Sequence, residues 1–217
     1  MEYRSKNQLV EALIREAIVR GEIQPGERLL QEELAKKLGT SATPIREALR
    51  RLEAQGIVTH ETNKGVRVAE IKPEDAAEVY LIRGALESLA IEVATEKLRA
   101  EDLDRLEAIQ DEIEARTGRQ ELQELRRLNH EFHFAIYHAT KLNKLENMIA
   151  ILWTMYPWDT LYVIPGRAQV SAGEHREILQ ALRQKAPAAA GRAMKEHIDA
   201  GCRAVLKHIA GLKGPEM

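Results

Sequence analysis

The most constraining feature of this chain lies in its first quarter. Ser41, Thr43 and Pro44 precede an apolar quartet, Ile45, Ala48, Leu49 and Leu52, spaced i, i+3, i+4, i+7. That spacing places four apolar side chains on one face of a helix. Ser and Thr suit a helix N-cap, and Pro suits the first turn. The opposite face carries Arg46 and Arg50, with Arg51 at the flank. Upstream, Val10, Leu13, Ile14 and Ala17 repeat the spacing between Ser5 and Arg20, and Gly21 follows as a stop. Pro25-Gly26 marks a turn, and a short helix over Gln31–Leu38 buries Leu34, Ala35 and Leu38 before Gly39 ends it. Beyond Gly56, the β-prone runs Ile57–His60 and Val66–Ala69 flank Glu61-Thr62-Asn63-Lys64-Gly65, which reads as a hairpin. Helix, helix, short turn, arginine-bearing helix, hairpin: this order predicts a winged helix-turn-helix.

In that motif the second helix of the pair enters the DNA major groove, its first residues meet base edges, and flanking elements hold phosphates. Arg46, near the start of the helix, can bind a guanine edge bidentately. Arg50 follows one turn later on the same face. Ser41 and Thr43 can donate to phosphate beside the free N–H groups of the helix terminus. Lys64, next to Gly65 at the hairpin tip, is placed to reach the backbone or the minor groove.

The net charge of −2 points away from nucleic acid, but its distribution does not. Residues 1–70 carry 12 basic against 11 acidic side chains, and the remainder 20 against 23. Within 36–67 seven basic residues (Lys36, Lys37, Arg46, Arg50, Arg51, Lys64, Arg67) face three acidic ones. A local surplus of this kind makes a basic face on a nearly neutral protein.

Lys72-Pro73-Glu74-Asp75 opens a new helix, so the domain boundary falls near residue 70, dividing 1–70 from 71–217. The rest reads as helix: about 74–98, 101–116, 119–140, 144–163, 171–185 and 187–210. Val79, Ile82, Leu86, Leu89 and Val93 recur along one side of the first; Pro157 bends or splits the fourth. The natural packing is an all-helical antiparallel bundle of six to seven helices. The fold class is therefore mainly α, a winged helix-turn-helix followed by that bundle. The apolar fraction of 44% supplies a core for each. The longest apolar runs, such as Met148–Trp153, are far short of the roughly 18 residues a membrane span needs. The chain opens on an amphipathic segment, so no signal peptide is expected, and a lone cysteine, Cys202, suits a reducing cytoplasm.

Three histidines of the second domain stand beside apolar stripes. Phe132 and Ile136 accompany His133, Ile178 and Leu179 accompany His175, and Met194 and Ile198 accompany His197. Inward imidazoles need partners, and three from separate helices can converge on a metal. Asn129 lies four residues before His133, on the same helix face. His60, His130, His138 and His208 lack such a pattern and read as surface or packing residues. Trp153 and Trp158, near Pro157, read as core or dimer interface rather than pocket wall.

The residues also carry a resemblance. Ile23-x-Pro25-Gly26-x-x-Leu29, then Glu33-Leu34-Ala35-x-x-Leu38-Gly39-x-Ser41-x-Thr43-Pro44-x-Arg46-Glu47-Ala48-Leu49-x-x-Leu52-x-x-x-Gly56, then Gly65-x-x-Val68, resembles the DNA-binding domain of GntR-family bacterial transcription regulators. Many relatives place an arginine between the Ser and the Thr of the turn, where this chain has Ala42, so Arg46 should carry more of the base readout. Residues 74–210 resemble the FCD effector domain of the FadR subgroup, through Arg83-x-x-x-Glu87, Asn129-His130-Glu131-Phe132-His133, Glu174-His175-x-x-Ile178-Leu179 and Met194-Lys195-Glu196-His197-Ile198.

That resemblance implies a divalent metal held by Asn129, His133, His175 and His197, with a small carboxylate effector completing the coordination. Three neutral imidazoles suit Zn²⁺, Ni²⁺ or another late transition ion. Asn129 brings a neutral amide where an Asp would bring charge, which keeps open a metal-free arrangement in which the histidines and Arg83 bind an anionic effector directly. The whole reads as a non-enzymatic, effector-controlled DNA-binding regulator, homodimeric to match palindromic half-sites. Two alternatives stand beside it: a metal sensor whose signal is the ion itself, and a metal-dependent hydrolase with an accessory DNA-binding domain.

Overall fold

A computed structural model of the chain describes residues 6–19, 22–61, 65–70, 72–118, 121–154, 161 and 164–212. The elements are α1 (Lys6–Val19), β1 (Arg28–Leu29), α2 (Gln31–Lys37), α3 (Ala42–Ala54), β2 (Val58–Glu61), β3 (Gly65–Val68), α4 (Pro73–Lys97), α5 (Ala100–Arg116), α6 (Leu122–Ala139), α7 (Asn143–Thr154), α8 (Arg167–Arg183) and α9 (Pro187–Leu212). Two compact units meet in the chain at Lys72 and Pro73.

In the smaller unit α1 and α2 pack on α3, and a three-stranded antiparallel sheet of order β1-β3-β2 closes the other side. Val58 pairs with Val68 and His60 with Val66 in the hairpin, while Arg28 and Leu29 pair with Arg67 and Val66. The two-residue β1 has no periodicity to read in the sequence and comes as an addition to the expected hairpin. It is fixed by the turn before it. Gly26, at φ +78°, donates its N–H to the Val68 carbonyl at 3.0 Å, and its own carbonyl accepts from Arg67 at 2.8 Å. A Cβ there would meet the Glu70 carboxylate at 2.6 Å, so glycine answers both the dihedral and the space. The core is aliphatic: Val10, Ile14, Ile45, Ala48, Leu49 and Leu52 interlock with Ile57, Val58 and Val68 from the sheet. The spaced quartet of α3 lies wholly within it.

In the larger unit α4 packs along α9, α5 along α6 and α8, and α6 on α4, giving six helices among the described residues. The expected continuation of the fourth helix through Pro157 to residue 163, and the placement of Trp158, lie outside the described residues. The sequence starts α8 near residue 171; it begins at Arg167, after Gly166 in a left-handed conformation.

The buried face of α4 differs from the one that its large apolar residues suggest. The buried positions are Ala76, Tyr80, Arg83, Gly84, Glu87, Ala90, Ile91 and Ala94, while Leu81 and Leu89 are 70% and 49% exposed. Small residues win because α4 and α9 approach closely. A Cβ on Gly191 of α9 would run into the Glu92 side chain of α4, and one on Gly84 would touch Ile198 and Asp199. Dense packing at such a crossing rewards close approach over side-chain bulk. The stripe of Leu81, Ile82 and Leu89 is left facing outward on this chain.

Candidate metal centre and nucleic-acid interface

On α3 the dry face fixes the wet one. With Ile45, Ala48, Leu49 and Leu52 buried, Thr43, Arg46 and Arg50 are exposed. Ser41 occupies the N-cap in extended conformation, and its side chain makes no cap hydrogen bond. Thr43 falls inside the first turn rather than at the cap. Arg50 stands 3.8 Å from Glu47 on the same surface. Two of the seven basic residues counted in the sequence are committed elsewhere. Arg51 turns to Glu11 of α1 at 3.6 Å, and Arg67 is tied to the Gly26 carbonyl. Arg28, outside that count, compensates: it is exposed on β1, and its guanidinium lies beside Gly65 at the loop end of the hairpin. Lys64 lies outside the described residues.

In the larger unit His133 of α6, His175 of α8 and His197 of α9 converge. Their ring centroids are 5.1, 5.1 and 4.8 Å apart, and all three are buried. Each ring has its Nδ1 occupied by a different acceptor. Gln110 donates its amide to the Ala172 carbonyl and to Glu114, both at 3.0 Å, which leaves its Oε1 to accept from His175 Nδ1 at 2.9 Å. Glu174 accepts from His197 Nδ1 at 2.7 Å. The Tyr137 hydroxyl donates to Glu87, so it accepts from His133 Nδ1 at 2.9 Å. With the proton on Nδ1 in each ring, the Nε2 lone pair is what remains. The Nε2 of His175 is buried and has no partner among the described residues. Oriented imidazoles backed by amide, carboxylate and phenol are the usual support of a metal ligand set.

The electrostatics keep these rings available. Burial pushes His133 well below the usual imidazole range, assisted by His175 and His197; burial does the same to His175, with His197 and Arg167 adding to it. Both are neutral near pH 7, as metal ligation requires. The ligand atoms lie within 4.8 Å of one another, against about 3.4 Å for two nitrogens on one tetrahedral zinc.

Beside the imidazoles is a cavity of about 40 Å³, lined among others by Tyr80, Arg83, Asn129, His133, Trp153 and Arg167. Asn129 and Arg83, named from the sequence, therefore share its wall with His133 and His197. Trp153, expected in the core or an interface, is part of this wall and donates to Glu87 at 3.1 Å. Arg83 is buried, pairs with Glu87 at 2.6 Å and lies over the Trp153 ring. Sequence reasoning passes over Gln110, Tyr137 and Arg167. Only Arg167 leaves a signal, a cation in a Pro165-Gly166-Arg167 turn just ahead of the Glu174-His175 pair.

Residues 6–68 match the family model described as bacterial regulatory proteins, gntR family, and residues 78–200 match the FCD domain. The HTH-type transcriptional regulator YdhC of Bacillus subtilis (strain 168) is 31% identical over 199 residues, covering 90% of this chain and 88% of that protein. McbR, an HTH-type transcriptional regulator of Escherichia coli (strain K12), is 30% identical over 169 residues, 76% of each chain. The solved structure of E. coli McbR/YncC superposes with a TM-score of 0.71 at 27% identity, covering 94% of this chain and 98% of that one. A helix-turn-helix domain joined to an all-helical domain of this kind defines a transcriptional regulator. The chain belongs to the GntR family, in its FadR-like subgroup with an FCD domain.

Proposed function

We propose that this regulator binds operator DNA as a homodimer under the control of a small organic acid, received at a divalent metal in the helical domain. The observation that carries the reading is that three separate acceptors engage Nδ1 of His133, His175 and His197 and hold the ring proton there, with the Nε2 of His175 lacking a partner among the described residues. Asn129, His133, His175 and His197 would hold the ion, zinc or nickel by donor type. When bound, it supplies a Lewis-acidic centre with open positions for a carboxylate oxygen. The chain's own residues orient the rings, with Phe132 stacked on His175, and offer Arg83 at the cavity wall.

Residues 1–70 are the DNA-binding part and 71–217 the effector-binding and dimerisation part. Ser41, Thr43, Arg46, Arg50, Lys64 and Gly65 are assigned to DNA. Leu81, Ile82 and Leu89, large apolar side chains exposed on α4, support a homodimer that covers them. No helix among the described residues is long and apolar enough to cross a membrane, which agrees with a regulator acting on DNA in the cytoplasm. The relatives are transcriptional regulators, which favours a sensor over an enzyme. A cavity with two arginines beside the imidazoles favours an organic anion over the ion as the signal.

Elemental analysis of wild type beside His133→Ala tests the site: one equivalent of metal is expected in the first and none in the second. Operator binding is then titrated with metal alone and with metal plus small acids. Full switching by metal alone overturns the acid-sensing reading. For the DNA face, Arg46→Ala should cost about 1–3 kcal/mol on the specific site, and an unchanged footprint removes that assignment.

A further inference from the structure

Arg167 is 6% exposed and lines the cavity, yet only part of its guanidinium is used. Its Nη2 donates to Glu174 Oε2 at 2.8 Å, the same oxygen that accepts from His197 Nδ1 at 2.7 Å. Its Nε and Nη1 are buried and have no partner among the described residues. A buried guanidinium with two unmet donors is costly unless a ligand answers it. One carboxylate oxygen bridges this arginine to a ring of the imidazole cluster, so the two binding features are neighbours. Gly201 of α9 keeps the space open. A Cβ there would stand 3.3 Å from the Tyr80 ring and 3.8 Å from Arg167 Nη2, and glycine in a helix interior is otherwise unfavourable.

The charges point the same way. Arg83 is balanced by Glu87, and Arg167 by Glu174. The remaining ligands, three imidazoles and an amide, carry no negative charge. A divalent ion therefore brings two buried positive charges that the chain does not offset. A monocarboxylate would leave one of them, and a dianion would leave none.

We propose that the effector is a short dicarboxylate, one end at the ion and the other on Arg167 Nε and Nη1. This rests on the metal-site reading above and narrows its ligand class. The cavity, at about 40 Å³, holds room for roughly three waters, so the short acids are favoured over the long.

The test uses the full chain loaded with Zn²⁺ or Ni²⁺ and titrated calorimetrically with malonate, succinate, acetate and inorganic phosphate, with metal content measured before and after. Malonate is expected to bind about tenfold or more tighter than acetate, the effect of a second charge-assisted contact. In Arg167→Met that preference should fall to about twofold, read on samples brought to equal metal content. Should Arg167→Met fail to fold, Gly201→Ala replaces it and is expected to weaken malonate and spare acetate. Equal binding of malonate and acetate by wild type, or a preference that survives both variants, overturns the inference. Phosphate binding as tightly as malonate, with the same dependence on Arg167, overturns the two-ended ligand. A chain that binds no metal, or neither acid once loaded, instead overturns the reading beneath it.

Discussion

The two units of this protein differ in whether polar side chains are buried among the apolar ones. Among the described residues of Met1–Lys72, everything buried is apolar, from Val10 and Ile14 to Ile57 and Val68. In the larger unit the buried set includes Arg83, Glu87, Gln110, His133, Arg167, His175 and His197. The first unit keeps its chemistry on the surface, where Arg46 and Arg50 ride on an aliphatic base. The second keeps its chemistry inside, where each polar group depends on another. The difference sets how each half fails. A core substitution in the first leaves a void. In the second it leaves a charge or a donor without its partner, which commonly costs more.

Glu87→Leu should therefore have the largest effect. Glu87 is fully buried and accepts from Arg83, Trp153 and Tyr137 together. Its removal takes away the buried carboxylate paired with Arg83, at a cost of about 3–5 kcal/mol. It also frees the Tyr137 hydroxyl that fixes His133, so metal affinity should fall in any folded fraction. Urea denaturation with metal content measured on the same sample checks both, and a loss of stability with full metal retention would separate the ion pair from the site.

Leu52→Ala should come next, at about 2–5 kcal/mol. Leu52 is fully buried between α1 and the sheet side of the smaller unit. Operator binding should weaken as that unit loosens, while metal content stays at the wild-type level. Metal loss in this variant would show that the two cores are not independent.

The same contrast explains what could be read from the sequence. α3 was legible because one face is dry and the other wet, so Ile45, Ala48, Leu49 and Leu52 announce the helix and Arg46 its exposed side. β1 was not, since two residues, Arg28 and Leu29, show no period. On α4 hydropathy picks out Ile82 and Leu89, but the packed face is made of Ala76, Gly84, Ala90 and Ala94 beside a buried ion pair. Periodicity of bulk cannot register a close helix crossing. The apolar neighbours of His133, His175 and His197 mark them as inward residues, and the rings do converge. Their supporting groups were out of reach, because Gln110 meets His175 across 65 positions of chain and Tyr137 looks like any core aromatic.

Acidity gives the mildest way to divide the two units. His133 and His175 have folded pKa values well below the usual 6.5, from burial first and neighbouring histidines second. Between that depressed value and about 6.5 the unfolded chain binds more protons than the folded one. Stability is thus complete above pH 6.5 and is lost as pH falls below it, by up to about 1.4 kcal/mol per pH unit for each ring. The smaller unit contributes no buried histidine to this slope, its His60 being exposed. Denaturation midpoints of the chelator-treated chain, taken from pH 7.5 to 5.5, should fall along this window. His175→Leu should flatten the fall and Leu52→Ala should leave its slope alone. A slope that Leu52→Ala changes and His175→Leu does not would place the acid-sensitive groups in the wrong unit.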